Sequence, residues 1–404
     1  MALLKRKYIC PYCFTKHKIH EVKFRCSNEN HREQDEVYGD YWGYHTAPIE
    51  QKVLPTPEKS GMAMIKPTMP SSTNCMECDT NPSTRIRICP TCHSALPSSI
   101  ADYEDYIFAV IGGKETGKSH YIAMLIERIN NEIGNTYNCF LQPENDETIR
   151  RYKESFYNPL FREKRTLNVT DSANSNEDVK RPLLYTLSID GGVRGKKVIT
   201  LAFFDTAGED LHNETNMLKH NRYISNSAGV ICLLDPTQLE SVREEIQENK
   251  LNVTLPQDNP NGDVNDILSR TTNMIRNMLN IKVSKKISIP MALSFSKIDA
   301  IQPLLDPSSQ LNQKGQHTET NGFDLVDFEN VNREMEGLVQ EWTKGNIPNL
   351  LKHNYKEFAY FGLSALGHDP RNGPGFSELN PYRVEDPFLW LLYKNQIIKG
   401  VNRK

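Results

Sequence analysis

The stretch "YIFAVIGGKETGKSHYIAML", residues 106–125, places an apolar run, a glycine-bearing turn and a second apolar run next to one another. The run "YIFAVIG" predicts a β-strand, and "HYIAMLIERINNEI" predicts an amphipathic helix. Between them, "GGKETGKS" matches the pattern G-x-x-x-x-G-K-S from Gly112 to Ser119. A strand, a phosphate-binding loop and a helix in this order indicate a nucleotide-binding α/β domain.

This loop supplies the groups that a phosphate chain needs. Gly112 and Gly117 permit the turn that points backbone N–H groups at the phosphates, and Lys118 brings a positive charge to the outer phosphates. Ser119 offers a hydroxyl to Mg²⁺. The other nucleotide-binding positions predicted in the loop are Gly113, Lys114, Glu115, Thr116 and His120.

The composition is ordinary for a soluble protein and restricts the classes of function. The 404 residues suggest two or three domains, and a net charge of −3 with dispersed basic residues gives no support for nucleic-acid binding. No apolar stretch approaches the roughly 20 residues that span a bilayer, and the start "MALLKRKYICPYC" lacks the apolar core of a signal peptide. The sequence therefore predicts a cytoplasmic protein without membrane insertion.

Seven of the nine cysteines lie before residue 93. Six of them form the C-x-x-C knuckles "CPYC", "CMEC" and "CPTC", and the seventh is Cys26. Because disulfides are rare in the cytosol and two thiolates in a tight turn can face one Zn²⁺, the knuckles predict structural zinc. The isolated Cys139 and Cys232 are interpreted as buried small hydrophobic residues.

A tetrahedral Zn²⁺ takes four ligands, so the candidates predict two structural ions. We favour the compact set of Cys75, Cys78, Cys89 and Cys92, and assign His31, rather than His17 or His20, to the remaining cysteines, Cys10, Cys13 and Cys26. A pairing of the first knuckle with the third, Cys10 and Cys13 with Cys89 and Cys92, remains open. A closed site of this kind should stabilise its module without catalysis.

Two domains are expected. Residues 1–100 form the zinc-knuckle module, with a flexible insertion at about 45–74 that is rich in Pro, Ser and Thr. From 101 to 404, apolar runs alternate with helical patterns, which is typical of a doubly wound α/β domain with a mainly parallel sheet.

Three later strands of this domain carry polar residues at their ends. "KKVITLAFFDTAGED" reads as a strand ending in Asp205, whose carboxylate can hold the Mg²⁺ shell, followed by Gly208, whose N–H can meet the terminal phosphate. The strand in "SIPMALSFSKID" and the strand in "EFAYFGLSALG" each lead into a polar loop. The candidate nucleotide-binding residues of these two loops are Ser296, Lys297, Asp299, Ser364, Ala365 and Leu366.

These motifs resemble those of the P-loop GTPases, whose base-recognition motif is N/T-K-x-D. In that family the aspartate, here Asp299, accepts hydrogen bonds from guanine N1 and N2, and an S-A loop, here Ser364-Ala365, meets guanine O6. Ser296 departs from the usual Asn or Thr. The resemblance to the P-loop GTPases covers roughly residues 104–400. More narrowly, "CPTCHSALP", the phosphate loop and "DTAGED" together resemble the bacterial double-GTPase type of the translation-factor-related (TRAFAC) class.

The resemblance implies a switch that hydrolyses GTP to GDP with Mg²⁺. Lys118 and Glu209 are the candidate catalytic residues. Glu209 stands where Ras-like members carry Gln and is a candidate for positioning water, with an exposed acid as the alternative. Thr170 is preferred over Thr166 as the Mg²⁺-binding switch threonine, although either fits a plain loop residue.

No arginine finger can be assigned, so slow intrinsic turnover is expected; the arginines near the switch in sequence are Arg150, Arg151 and Arg162. Inserts at 243–266 and 302–325 are partner surfaces or plain surface loops. The stretch 385–400 predicts a helix that closes the sheet, with Pro387 early and an apolar side made by Phe388, Leu391, Leu392, Gln396 and Ile398.

Other functions remain open for the same motifs. The chain could be a nucleotide-locked scaffold, a general P-loop NTPase with negligible GTP turnover, or a GTPase that regulates a nucleic-acid-binding zinc module. The expected partners are a guanine nucleotide and a protein effector or regulator.

Overall fold

The computed structural model of the chain describes residues 7–57, 68–101, 104–113, 115–167, 181–190, 196–203, 222–253, 255, 264–368 and 378–402. Five predicted site residues lie outside these ranges: Lys114, Thr170, Asp205, Gly208 and Glu209. Among the described residues, no helix combines the length and the apolar composition that a membrane crossing requires.

Residues 7–57 and 68–101, here called the N-terminal module, contain short strands and one helix. In chain order they are β1 (Lys7–Ile9), β2 (Lys16–Lys18), β3 (Lys23–Arg25), β4 (Arg32–Gln34), α1 (Glu36–Trp42), β5 (Ile49–Gln51), β6 (Val53–Leu54), β7 (Thr73–Asn74), β8 (Ser83–Thr84) and β9 (Arg87–Ile88). Strand β3 pairs antiparallel with β6 and β9, and the other strands form the hairpins β1-β2, β4-β5 and β7-β8.

The segment 45–74, predicted to be a flexible insertion, contains paired strands, and its residues 58–67 lie outside the described ranges. Strands β5 and β6 lie inside it, because β5 pairs with β4 and β6 pairs with β3. Part of this proline- and serine-rich segment therefore joins the module's sheets.

A buried polar cluster fixes helix α1 within the module. Asp35 caps the helix by accepting from the Tyr38 N–H at 3.0 Å, and its carboxylate also meets Arg25 Nη2 and His93 Nδ1, each at 2.7 Å. Burial opposes the charge of Asp35, but the hydrogen bonds from Tyr38, His93 and Arg25 outweigh it and lower the pKa of the carboxyl group. Helix α1 is thereby tied to His93.

The rest of the chain alternates strands and helices. The strands are β10 (Glu104–Asp105), β11 (Phe108–Gly112), β12 (Cys139–Pro143), β13 (Leu183–Asp190), β14 (Lys196–Phe203), β15 (Gly229–Leu234), β16 (Met291–Phe295), β17 (Phe323–Asp324), β18 (Phe358–Gly362) and β19 (Gly400–Val401). The helices are α2 (Lys118–Arg128), α3 (Gly134–Thr136), α4 (Asp146–Arg151), α5 (Glu240–Glu248), α6 (Val264–Met278), α7 (Leu325–Trp342), α8 (Asn346–Asn354) and α9 (Asp386–Lys394), with π-helical turns at Ile129–Ile133 and Tyr152–Arg162.

Strands β11, β15, β16 and β18 form a four-stranded, all-parallel sheet in that order. Strand β10, two residues before β11, pairs parallel with β14, and β13 and β12 continue that second sheet antiparallel. Nearly every residue of the four parallel strands is buried, which explains why they appear in the sequence as continuous apolar runs.

Two apolar clusters cover the two faces of the parallel sheet. Alternate strand residues belong to one or the other: Val110 and Leu233 pack with residues of α2 and α9, whereas Ile111 and Cys232 pack with residues of α5 to α8. Helices on both faces confirm the predicted doubly wound α/β fold. The carboxyl ends of the parallel strands all point to one edge, where ligands bind in folds of this kind.

Two details differ from the sequence predictions. Helix α9 ends at Lys394, so Gln396 and Ile398 lie beyond it, and its residues 388–392 are buried all round rather than on one side. Cys232 is buried as predicted, whereas Cys139 is only half-buried because β12 is the outer strand of its sheet.

The insert at 302–325 is tied to the body of the protein by the buried side chain of Arg383. Its guanidinium donates to Asp327 at 2.8 and 2.9 Å, to Asp386 at 2.9 Å and, through Nε, to the Gln313 carbonyl at 3.0 Å. The imidazole of His317 is fully buried beside the same two carboxylates. This part of the insert is therefore an integral part of the fold.

Candidate nucleotide site and metal sites

The predicted phosphate loop lies at the carboxyl edge of the parallel sheet, between β11 and α2. The Lys118 ammonium is buried and donates to the carbonyls of Gly112 at 3.0 Å and Gly113 at 2.9 Å. The Thr116 hydroxyl donates to the Gly113 carbonyl at 3.0 Å. Gly117 has φ +80°, a backbone conformation that L side chains rarely adopt. These bonds give a compact turn that leads into α2.

The loop is pressed against its neighbours, which explains two of its glycines. A Cβ on Gly112 would come within 2.5 Å of the Leu233 carbonyl oxygen, and one on Gly113 would come within 2.7 Å of Ile267 Cδ1. Strand β15 and helix α6 therefore confine the loop. Ile267 was not predicted as part of the site, because its sequence signal is only that of a core helix residue.

The loop after β16 carries the candidate base-binding residues. The Ser296 N–H and hydroxyl both donate to the Leu234 carbonyl, at 2.8 and 3.0 Å, which joins the ends of β16 and β15. Lys297 has a left-handed backbone, φ 54°, and its ammonium donates to Asp235. The Asp299 side chain is half-buried in the turn that follows.

Asp235 is a residue of this site that the sequence reasoning missed. Its carboxylate is fully buried and accepts from the Thr237 N–H at 2.9 Å and the Thr237 hydroxyl at 2.6 Å, besides Lys297. It thus holds the ammonium end of Lys297 in place. An aspartate directly after a buried parallel strand, "GVICLLD", was the available signal.

The second base-binding loop is joined to the first. The Ile298 N–H donates to the Leu363 carbonyl at 3.1 Å, and the Ser364 hydroxyl accepts from the Gly367 N–H at 2.8 Å. Ser364 also exchanges two backbone hydrogen bonds with Tyr382, at 2.8 and 2.9 Å. The structure therefore brings together the phosphate loop, residues 296–299 and residues 364–366 at one sheet edge.

His120 connects the start of α2 with the chain that precedes residues 168–180. Its Nε2 accepts from the Leu167 N–H at 3.1 Å. Burial, together with the nearby charge of Lys297, lowers the pKa of His120 to about 4. The imidazole is therefore neutral at pH 7 and able to accept this bond. Thr166, the second switch-threonine candidate, is the neighbour of Leu167 and is half-buried.

The candidate arginines hold ordinary structural positions. Arg150 forms an exposed pair with Glu154 at 3.2 Å, and the Arg162 guanidinium lies 5.8 Å from the Tyr157 ring centroid. Arg151 is buried and donates to the Arg181 carbonyl.

The predicted metal ligands form two separate clusters in the N-terminal module. The first cluster, called the first metal site after the ion that it could hold, contains Cys10, Cys13, Cys89 and Cys92. Sulfur separations are 3.8 Å between Cys10 and Cys92 and 3.6 Å between Cys13 and Cys89. Four thiolates at about 2.3 Å from one Zn²⁺ would stand about 3.8 Å apart, so the cluster fits a tetrahedral zinc ion.

The second metal site contains Cys26, His31, Cys75 and Cys78. Its Cys26 and Cys78 sulfurs lie 3.8 Å apart, and His31 Nδ1 lies 3.4 Å from the Cys75 sulfur and 3.2 Å from the Cys78 sulfur. These separations also suit a tetrahedral ion with one nitrogen and three sulfur ligands.

The favoured pairing of the two later knuckles in one site is wrong, and the alternative is the arrangement found. Strand β3 is the reason: β9 pairs with its beginning, at Lys23, so Cys89 comes close to the first knuckle. Cys26 follows the other end of β3, where it meets the knuckle of the β7-β8 hairpin. The choice of His31 over His17 and His20 as the histidine ligand agrees with this cluster.

Comparison with known proteins finds a matching family model and a similar protein. The model of the Double-GTPase 2 family matches residues 107–374. The SaeC protein of Mycolicibacterium smegmatis, whose name assigns it to ESX-1 scaffolding and assembly, is 24% identical over 403 residues, covering 95% of this chain and 97% of that protein.

Two solved structures are similar at 11% identity. The Arl6 BBS3 small GTPase of Trypanosoma brucei with bound GppNp has a TM-score of 0.30 and covers 73% of this chain and 99% of its own. A GTP-binding protein of Sulfolobus solfataricus in complex with GDP has a TM-score of 0.29 and covers 72% of this chain and 53% of its own.

Proposed function

Because the chain belongs to the Double-GTPase 2 family, we propose that it binds GTP and GDP with Mg²⁺ and hydrolyses GTP to GDP and phosphate. The observation that carries this proposal is the meeting of three loops at one sheet edge: the phosphate loop, residues 296–299 and residues 364–366. The first is suited to phosphates, and the other two are suited to the edge of a base.

The residues take separate parts in the proposed reaction. Lys118 would neutralise charge on the outer phosphates, and Ser119, Asp205 and a switch threonine, Thr170 or Thr166, would hold Mg²⁺, which would neutralise further charge there. The Gly208 N–H would meet the terminal phosphate, and Glu209 would position the attacking water. Loop residues 112–120, including Lys114, would offer backbone N–H groups and side chains to the phosphates.

Turnover tests the proposal directly. The purified chain is expected to bind a fluorescent GTP analogue and to release phosphate slowly, and Glu209→Ala should slow the release while nucleotide binding persists. Lys352→Ala, which removes an exposed pair with Glu336 far along the chain, is the control. Failure of the wild type to bind GTP would contradict the proposal, and an unchanged rate in Glu209→Ala would leave that residue an exposed acid.

We further propose that residues 1–100 form a zinc-stabilised module for partner contact. The purified chain is expected to carry about two Zn²⁺, since each cluster offers four ligands. Cys89→Ser should lower the zinc content to about one, whereas Cys139→Ser, outside both clusters, should not change it. Elemental analysis of the chain after dialysis measures this, and a metal-free wild type would rule out both sites.

A second candidate function follows from the relative named for scaffolding. In that case the bound nucleotide would hold the chain as a platform for assembling partners, with negligible turnover. Tight GTP binding without detectable phosphate release would favour the scaffold over the switch.

A further inference from the structure

We propose that the N-terminal module responds to the nucleotide state. It contacts the chain directly after both segments that hold the predicted switch residues. These segments are residues 168–180, with Thr170, and residues 204–221, with Asp205, Gly208 and Glu209. The inference rests on the proposed function, since only a guanine-nucleotide switch would make the two segments respond to GTP and GDP.

The first contact is with Arg181, the residue that follows 168–180. Its guanidinium lies 4.8 Å from the Trp42 ring centroid and donates to the Tyr38 and Tyr44 hydroxyls at 3.0 and 3.2 Å. It also pairs with Glu147 at 3.0 Å. Three aromatic side chains of α1 and the turn after it therefore hold one arginine two residues before β13, in a cation–π and hydrogen-bonded contact.

The second contact is with the helical turn at residues 222–226, which follows 204–221. The Phe14 and Tyr223 rings lie 4.8 Å apart, and the Asn226 amide donates to the Phe14 carbonyl at 3.1 Å. The Tyr223 hydroxyl in turn donates to the Phe108 carbonyl at 2.9 Å and accepts from the Val110 N–H at 3.2 Å. This contact thus reaches β11, the strand that ends in the phosphate loop.

Both contacts involve residues next to the first metal site or bonded to residues near it. Phe14 directly follows Cys13, is fully buried, and has a left-handed backbone with φ 56°. Trp42 donates to the Ser94 hydroxyl at 3.2 Å, two residues after Cys92. One compact module therefore contacts both flanks, namely Arg181 and the turn at 222–226. If either flank moves, the module or its contacts with that flank must change.

Such an arrangement couples the module to the nucleotide. A ligand shifts a conformational equilibrium only through its differential affinity for the two states, and the coupling between two sites is reciprocal. If GTP and GDP place the flanks differently, the module's contacts differ between the two forms. Conversely, weakening those contacts must change the ratio of GTP to GDP affinity, by about fivefold or more for a typical coupling.

Hydrogen exchange on the full chain tests the inference. The chain is loaded with GDP or with a non-hydrolysable GTP analogue, and exchange is followed in peptides covering 10–15 and 36–44. The two forms are expected to differ by at least about fivefold in exchange rate there. In Arg181→Ala the difference at 36–44 should disappear and the affinity ratio should shift. Arg181→Lys keeps the charge beside Glu147 but loses the planar stack, and should behave in the same way.

Lys52→Ala is the matched control, because Lys52 pairs with Glu33 and Glu77 within the module. It should retain the nucleotide-dependent exchange. Nucleotide affinity is measured on the same samples. Equal exchange at both peptides in the two bound forms would overturn this inference and leave the proposed function intact, whereas failure of the wild type to bind either nucleotide would overturn the proposed function itself.

Discussion

The Lys118→Ala variant is expected to lose at least about a hundredfold in GTP affinity while remaining folded. The ammonium of Lys118 donates to two loop carbonyls. It is therefore held within the loop whose N–H groups would face the phosphates. Charge-assisted hydrogen bonds contribute roughly 1.5–3 kcal/mol each, and two such bonds to phosphate oxygens account for an effect of this size. Titration with a fluorescent GTP analogue measures it.

A second variant separates the charge from the packing. Lys118→Met keeps an apolar side chain in the buried position. Its GTP affinity should fall as far as that of Lys118→Ala, with a melting temperature close to that of the wild type. Lys352→Ala removes an exposed ammonium and should bind GTP normally. Normal GTP affinity in both Lys118 variants would mean that the loop is not a phosphate site.

The Asp299→Asn variant is expected to exchange GTP for xanthosine triphosphate as its preferred nucleotide. A carboxylate at this position would accept from guanine N1–H and the N2 amino group, whereas an amide would donate to the C2 oxygen of xanthine. A wrong base leaves buried polar groups unpaired at roughly 1–3 kcal/mol each, so the preference should change by about a hundredfold or more. For the same reason, the wild type should reject ATP.

Competition of GTP, ATP and xanthosine triphosphate for both forms measures this change. Asp306→Asn is the matched control, since Asp306 is an exposed carboxylate that caps the nearby Ser308 turn. It should leave the base preference unchanged. Equal affinity of the wild type for ATP and GTP would leave a general P-loop NTPase in place of a GTPase.

The parallel sheet and its loops could be predicted because their signals are local. Strands β11, β15, β16 and β18 are buried on both faces and therefore appear as apolar runs, and the polar residues after them must meet at one edge. Ser296, Lys297 and Ser364 were placed in this way. Their exact partners depend on side chains from other strands, as with Asp235.

The metal pairing and the module's contacts could not be predicted because they depend on distant parts of the chain. Spacing favoured knuckles that are neighbours in sequence, but the pairing of β3 with β9 brings the first and third together. In the same way, the contact of Arg181 with Trp42 joins residues that no local pattern connects. A single sequence identifies the candidate ligands and the aromatic residues. Which residues they contact depends on the fold.

If both candidate metal sites bind zinc, their nesting has a consequence for how the chain folds during synthesis. The second site, from Cys26 to Cys78, lies wholly inside the loop closed by the first, in which Cys13 and Cys89 are 76 residues apart. The inner cluster can close once its last ligands have left the ribosome, before the third knuckle emerges. Its closure shortens the outer loop about threefold and so lowers the entropic cost of closing that loop by about 1 kcal/mol. Metal uptake would then proceed from the inside outward, and the aromatic residues of the first knuckle would be in place before the strand that carries the phosphate loop emerges.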